Sequence, residues 1–157
     1  MAEPVDMREV AGRVLIDAAR GVAANAHAPY SRFGVGAAVL LADGRIVTGA
    51  NFENASYGLS LCAETVALAT ANSEGHLRDV VAIGVTGGRL ESDGSIAGSA
   101  LVTPCGRCRQ IINEAAQLGG HDIDIYCGSA DGGAFAWFRA SELLPHAFGP
   151  ADLGLGD

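Results

Sequence analysis

Three cysteines and one glutamate have the spacing of a metal centre. Cys105 and Cys108 form a Cys-x-x-Cys pair inside PCGRCRQ, and Cys62 stands in LCAE, two residues before Glu64. Both motifs come directly before segments with helical patterning, which places them at helix N-termini. The free backbone N–H groups and the dipole at such termini favour thiolates, the form of cysteine that binds metal. Two helix ends that face each other would gather three thiolates around one zinc ion.

Glu64 has the chemistry of a general acid and base beside that ion. Three protein ligands leave a fourth position for water, which is typical of a catalytic rather than a structural zinc site. Because Glu64 falls in the first helical turn, its carboxyl can reach the open helix end without binding the metal. A carboxylate in that place can accept a proton from the water and return it to the substrate.

Two other interpretations of the cysteines stay open from the residues alone. Cys105 and Cys108 could form a redox pair, since PCGRC is similar to the thioredoxin motif. A structural zinc site could take Cys127 as its fourth ligand. However, Cys127 lies in the apolar run IDIYC, where burial as a small hydrophobic residue is expected.

The elements that must position these residues follow from hydrophobic periodicity and turn signals. Asp6 is an expected N-cap for the first helix, with Glu9 in the position of a capping box. Helices are predicted over residues 6–26, 62–73 and 106–118, with a helical turn over 141–144. Strands are predicted over residues 35–41, 45–50, 80–86, 123–127 and 134–138, and a loop over 87–100. This order predicts an α/β fold, a three-layer α/β/α sandwich with a mixed five-stranded sheet, as a single domain over residues 1–157.

The net charge and the lengths of the apolar runs argue against nucleic acid and membranes as partners of this protein. The chain has 157 residues and a net charge of −8, which argues against nucleic-acid binding because that requires a phosphate-neutralising surface. No stretch approaches the roughly 18 apolar residues of a membrane span, so no membrane partner is expected. The first ten residues carry acids and no apolar core, which predicts no signal peptide and a cytoplasmic location.

Four sequence blocks, in order, carry a resemblance to a known family. They are PYSRFGVGAAV from residue 29, DGRIVTGANFENASYGLSLCAE from 43, PCGRCRQ from 104 and ELLPHAFGP from 142. Together they resemble the short zinc-dependent cytidine deaminases over nearly the whole chain. That class uses three Cys or His ligands and a glutamate that does not bind the metal. The resemblance implies hydrolytic deamination of cytidine and deoxycytidine to uridine and deoxyuridine, with release of ammonia, in pyrimidine salvage.

The resemblance also implies roles at the metal. Cys62, Cys105 and Cys108 would hold one zinc ion per subunit, and Glu64 would be the proton shuttle. Many short family members carry an arginine directly after CAE, where it hydrogen-bonds the thiolates, but this chain has Thr65 there. Because three thiolates leave a zinc centre formally negative, that difference raises the question of what offsets their charge.

Further residues match the family's substrate contacts. Asn51 and Glu53 match the pair that binds the sugar 3′-hydroxyl, for which an amide and a charged acceptor are suited. Phe33 matches the ring that packs against base and sugar. The backbone N–H of Ala63 would contact the pyrimidine O2, and the carbonyl of Thr103 would meet the leaving amine.

Other matching positions concern the assembly. Ala55 belongs to the same substrate-binding set, and Tyr57 and Phe148 match positions that build a neighbouring subunit's pocket. The short family members are homotetramers, so the resemblance implies a homotetramer with shared active sites around a small nucleoside substrate.

Two alternative functions remain. Deaminases of modified cytosine nucleosides such as blasticidin S share CAE and PCGRCRQ, but they are not expected to keep the sugar-binding pattern formed by Asn51, Glu53 and Asn54. A non-enzymatic zinc-binding module would need neither an open ligand position nor Glu64.

Overall fold

The structure is a computed structural model and describes residues 5–155, so part of the segment behind the signal-peptide expectation lies outside it. Within that range the helices are α1 (Met7–Ala23), α2 (Ala63–Ser73), α3 (Gly106–Gly119) and α4 (Ala140–Leu143). The strands are β1 (Phe33–Leu41), β2 (Ile46–Ala50), β3 (Val80–Leu90), β4 (Ile96–Ala97), β5 (Asp124–Ser129) and β6 (Phe135–Arg139). None of the described helices combines the length and the apolar character that crossing a membrane requires.

The five main strands form one mixed sheet, as predicted, and their order in it is β2-β1-β3-β5-β6. Only β3 and β5 run parallel; the other neighbours are antiparallel. The tight β1–β2 hairpin turns at Gly44, whose φ of 90° is a conformation that glycine adopts without strain. The sixth strand, β4, pairs only with the end of β3.

The sheet is covered by helices on both faces, which confirms the three-layer α/β/α architecture. Ala37 and Val39 of β1 belong to the core cluster that includes Ala67 of α2 and Ile112 of α3. The intervening residue Ala38 points to the other face and packs with side chains of α1. The N-termini of α2 and α3 therefore lie on the same side of the sheet.

Helix α1 begins as predicted but differs in detail. The Asp6 carboxylate caps it by accepting from the backbone N–H of Arg8 at 2.9 Å, whereas Glu9 pairs with Arg13 instead of closing a capping box. The helix ends at Ala23, not at residue 26, because the chain turns so that His27 can pair with Phe52. The predicted end was wrong because this long-range pairing is not visible as periodicity.

The predicted loop over residues 87–100 is in part a β-hairpin. Strand β3 continues to Leu90 and pairs with β4, so that Arg89 lies opposite Ala97. A side chain at Gly88 would overlap the carbonyl of Ala97, so this pairing requires glycine. The same glycines that suggest a loop in the sequence permit the close approach of two strands here.

Candidate active site

The three predicted zinc ligands lie at the N-termini of α2 and α3. Cys62 is the N-cap of α2 and Cys105 the N-cap of α3, while Cys108 falls in the first turn of α3. Neither N-cap side chain bonds its own helix, so both sulfurs are free to bind an ion. The start of α2 is fixed by a small ladder in which Phe52 bridges His27 on one side and Leu61 on the other.

The sulfur atoms have the spacing of a zinc site. All three Sγ atoms lie within 4.8 Å of one another, and those of Cys62 and Cys105 are 3.7 Å apart. Two thiolates at about 2.3 Å from one tetrahedral ion would be separated by roughly 3.8 Å. The residues therefore fit zinc, and the predicted gathering of these cysteines is confirmed.

The thiols of the cluster differ in how readily they lose a proton: Cys62 ionises easily, whereas Cys108 does not. A hydrogen bond from Cys108 lowers the pKa of Cys62 to about 6, while that same bond and burial raise the pKa of Cys108. Without a cation, Cys62 is thus the favoured thiolate of this pair and Cys108 keeps its proton. Full ionisation of all three requires a positive partner, and a divalent metal ion supplies it.

Glu64 lies beside the sulfurs and is almost completely buried, with 4% of its surface exposed. Its Oε2 is 3.5 Å from the Sγ of Cys108. Burial raises the pKa of this carboxyl above its usual range. A carboxyl with a raised pKa holds a proton more readily than an ordinary one, which suits a group that must both accept and donate a proton.

The neighbouring residues show how thiolate charge is offset. The hydroxyl of Thr65 lies 3.7 Å from the Sγ of Cys108, within reach of a hydrogen bond to sulfur. The positive charge of Arg107 contributes to the lowered pKa of Cys62, and its guanidinium donates to the carbonyl of Ser60. Arg109 is engaged elsewhere, with the carbonyls of Pro104 and Leu143.

Cys127 is separate from the metal cluster. It is fully buried in β5, and burial raises the pKa of its thiol to about 12. In residues 5–155, the group of side chains with metal-binding spacing consists of Cys62, Cys105 and Cys108 alone. This argues against the four-cysteine structural site.

A cavity of about 220 Å³ opens beside the cluster. Its lining includes six of the predicted residues: Asn51, Glu53, Cys62, Ala63, Glu64 and Cys105. It also includes four residues that sequence reasoning missed, Val35, Ser60, Leu61 and Val102. Each of the four stands within two residues of a predicted one, but no spacing rule assigns these residues, three of them apolar, to a cavity wall.

Asn51 and Glu53 also hold the rim of the cavity together. The Asn51 side chain donates to the carbonyl of Phe33 at 2.9 Å and accepts from the N–H of Val35 at 2.8 Å. Oε1 of Glu53 accepts from the backbone N–H groups of Tyr30 and Ser31, both at 3.1 Å. A hydrogen bond from the Ser31 hydroxyl, together with these amides, lowers the pKa of Glu53, which keeps it charged.

The remaining predicted residues do not line this cavity. Phe33, Ala55, Tyr57, Thr103 and Phe148 are exposed. Tyr57 and Phe148 are 74% and 63% exposed, which is unusual for large aromatic side chains.

Comparison with known proteins identifies relatives along most of the chain. Residues 12–118 match the family model described as "Cytidine and deoxycytidylate deaminase zinc-binding region". A cytidine deaminase from Halalkalibacterium halodurans is 45% identical over 141 residues, which cover 90% of this chain and 96% of the relative. A cytidine deaminase from Mycobacterium tuberculosis is 41% identical over 148 residues, which cover 94% of this chain and 96% of the relative.

Solved structures agree with these matches. The crystal structure of cytidine deaminase from Burkholderia pseudomallei superposes with a TM-score of 0.73 at 39% identity and covers 87% of this chain and 98% of the other. The family match spans Cys62, Cys105, Cys108 and Glu64, the residues whose reactive atoms the structure brings together. The chain therefore belongs to the zinc-binding cytidine and deoxycytidylate deaminase family.

Proposed function

We propose that this protein catalyses the hydrolytic deamination of cytidine and deoxycytidine to uridine and deoxyuridine. One observation carries the proposal: a buried carboxyl, Glu64, lies 3.5 Å from one of three clustered thiols at a cavity that also exposes Asn51 and Glu53. Metal ligands, a proton carrier and sugar-binding groups thus meet in one place. The relatives named cytidine deaminase favour this substrate over a modified cytosine nucleoside.

Glu64 is proposed to carry the proton through the reaction. Zinc, when held by Cys62, Cys105 and Cys108, supplies a nucleophilic water of lowered pKa. Glu64 accepts a proton from the attacking water and delivers it to N3 of the cytosine. Glu64 then takes the second proton of that water from the new C4 hydroxyl and passes it to the exocyclic amino group. The C4–N bond breaks, ammonia leaves, and the oxygen stays on C4 as the carbonyl of uridine. Its burial suits this task because it raises the pKa of the carboxyl, so that Glu64 holds a proton more readily than an exposed glutamate does.

The cavity rim is proposed to orient the nucleoside. Asn51 and Glu53 would bind the sugar 3′-hydroxyl, and Oε2 of Glu53 remains for that bond because the two backbone amides use Oε1. Phe33 would pack against base and sugar. The N–H of Ala63 would contact the pyrimidine O2, and the carbonyl of Thr103 would meet the leaving amine.

The complete site is proposed to need several copies of the chain. Tyr57 and Phe148 would reach a neighbouring subunit's substrate, and their exposure in the single chain supports that assignment. Ala55, which is also exposed, would belong to the substrate-binding set. A cavity of about 220 Å³ is also below the usual range for ligand pockets, as expected for a site that a neighbour completes. We propose a homotetramer in the cytoplasm, where four free cysteines stay reduced.

The proposal is tested by loss of ultraviolet absorbance from cytidine and deoxycytidine, with purified protein whose zinc is counted. We expect turnover of both nucleosides with about one zinc per chain. Glu64→Gln should keep the zinc and lower kcat by about 10²- to 10⁴-fold. Glu114→Gln, at an exposed position of α3, is the matched control and should leave kcat unchanged. Full zinc without turnover, or full turnover in Glu64→Gln, would contradict the proposal.

A further inference from the structure

The C-terminal segment, residues 143–151, is tied to α3 by amide side chains that follow the zinc ligands. Gln110 Nε2 donates to the carbonyl of Phe148 at 2.7 Å, and Asn113 Nδ2 reaches the same oxygen at 3.4 Å. One turn further along, Gln117 Oε1 accepts from the backbone N–H of Ala151 at 3.0 Å. Because these residues are spaced by three and four, they form one stripe along the helix.

The backbone beside Phe148 fits closely against this stripe. A Cβ at Gly149 would lie 2.5 Å from the Gln117 amide oxygen and 2.7 Å from the Asn113 amide nitrogen, so the contact requires glycine. Gly149 also donates its N–H to the Asp152 carboxylate at 2.8 Å. The main chain from the Phe148 carbonyl to Ala151 is thus held by named contacts.

The ring of Phe148, by contrast, is 63% exposed. Exposing a large aromatic ring to water is unfavourable in an isolated chain. Holding its backbone in advance lowers the entropy that is lost when the ring orders against another molecule. An aromatic ring that is exposed while its main chain is fixed is therefore suited to contact a second copy of the chain.

We infer that Gln110 is a positioning residue that holds Phe148 in place to complete the substrate pocket of a neighbouring subunit. The inference rests on the proposed function, which assigns Phe148 to that pocket. Gln110 stands two residues after Cys108, so one helix would hold zinc for its own subunit and present an aromatic ring to the next. Gln110 touches neither substrate nor metal in this scheme and acts only through the carbonyl of Phe148.

A matched pair of substitutions tests the inference. Gln110→Glu replaces the Nε2 donor with an oxygen that cannot donate when ionised, and Gln110 is exposed, so the fold should tolerate it. Gln117→Glu makes the same chemical change on the same helix but keeps the acceptor for Ala151. Each variant is assayed as the zinc-loaded assembly for KM, kcat, zinc content and hydrogen exchange of residues 143–151.

We expect Gln110→Glu to raise KM for cytidine by about three- to tenfold with kcat and zinc content near wild type, since one neutral hydrogen bond is lost. Hydrogen exchange of the C-terminal segment should become faster in this variant. Gln117→Glu should match wild type in all four measurements. A merely structural role for Gln110 would lower zinc content or kcat instead of changing KM alone.

Phe148→Leu separates this inference from the proposed function. It should raise KM by itself, and adding Gln110→Glu should raise KM no further, because the positioned ring is already absent. If Phe148→Leu raises KM while Gln110→Glu behaves like Gln117→Glu, the inference is overturned and the proposed function stands. If the wild type is active but Phe148→Leu has no effect on KM, the role of Phe148 fails and the inference fails with it. Inactive zinc-loaded wild type would overturn both.

Discussion

At the scale of single residues, Glu64 links the chemistry to pH. Because burial raises its pKa above the usual 4.5, the folded metal-free chain keeps a proton that the unfolded chain releases. The stability that this group contributes therefore falls as the pH rises from 4.5 through the folded-state pKa. The glutamine side chain of Glu64→Gln cannot ionise, so the stability of this variant does not fall with pH for that reason.

We predict that the Tm of metal-free Glu64→Gln exceeds that of metal-free wild type by more at pH 8 than at pH 5. Thermal unfolding followed by circular dichroism in a reducing buffer measures both. A gap in Tm that stays constant between the two pH values would contradict the assignment.

Thr86 offers a second prediction at this scale. Its side chain is fully buried in β3, and its hydroxyl is the buried side-chain group without a hydrogen-bond partner in residues 5–155. Thr86→Val keeps the shape and removes the unpaired group, so it should leave the free energy of unfolding unchanged or raise it by about 1 kcal/mol. Thr86→Ser keeps the hydroxyl, deletes a methyl group and should destabilise. Urea titrations compare the three proteins, and a destabilised valine variant would show that the hydroxyl is satisfied in solution.

The reacting side chains could be predicted from the sequence, but the hydrogen bonds that position the side chains around them could not. Cys62, Cys105, Cys108 and Glu64 stand in short motifs whose spacing has a chemical reason. Nothing comparable marks the two backbone amides that hold Glu53, since they come from a segment more than 20 residues away. Contacts of this kind depend on how loops meet, and periodicity carries no information about that.

At the scale of elements, the position of α2 depends on Gly49 in β2. A Cβ there would lie 2.5 Å from the backbone N of Ala67 and 2.7 Å from the carbonyl of Ala63. The first turn of α2 carries Cys62 at its cap, so a larger residue in β2 would move a zinc ligand.

We predict that Gly49→Ala destabilises the protein by about 1–3 kcal/mol and weakens its hold on zinc, because backbone must move to admit the methyl group. Competition with a chromogenic chelator measures zinc retention. Gly21→Ala is the control: it lies in α1 with open space around it and should stabilise slightly through helix propensity. Equal behaviour of the two variants would contradict this account of α2.

Element types were predictable from the sequence and several boundaries were not. The helices that carry the cysteines begin within one residue of their expected starts, because hydrophobic periodicity begins directly after each cysteine motif. The β3–β4 hairpin was missed because its glycines resemble a loop, although they serve close pairing with Ala97. A glycine in the sequence indicates that a side chain is not tolerated there, but it does not distinguish a turn from close packing against a neighbouring strand.

At the scale of the whole molecule, zinc joins two helices that are distant in sequence. The Sγ atoms of Cys62 and Cys105 are 3.7 Å apart, yet 43 residues separate them in the chain. Removing the ion would leave α2 and α3 connected by packing and by the weak hydrogen bonds of Cys108 with Thr65 and Glu64.

We predict that a chelator lowers the Tm and speeds hydrogen exchange most in the first turns of α2 and α3. Mass spectrometry of the metal-free and zinc-loaded protein, both kept reduced, gives the exchange by segment. Helix α1, on the opposite face of the sheet, serves as the internal reference and should change least. Uniform acceleration throughout the chain would instead indicate that zinc only stabilises the fold globally.

Assembly is the other property of the whole molecule. Light scattering should give a molar mass of about four times the 15.9 kDa of one chain.

Tyr57→Ala, at a side chain that is 74% exposed, should raise KM without unfolding the chain, if its ring reaches a neighbour's site as we propose. A monomer with full activity would contradict shared sites. The α/β/α layering was predictable from element order, whereas the arrangement of subunits was implied only by the family resemblance.

The closeness of Cys62 and Cys105 has a redox consequence. In metal-free protein, a thiol whose pKa is about 6 is largely ionised at neutral pH and faces a second sulfur at 3.7 Å. A thiolate so placed reacts readily with peroxide, and the resulting sulfenic acid condenses with its neighbour to a disulfide. Zinc thus also protects these sulfurs, and an enzyme that loses it under oxidising conditions would lose its metal site as well. Cys127, buried and protonated, would take no part in that damage.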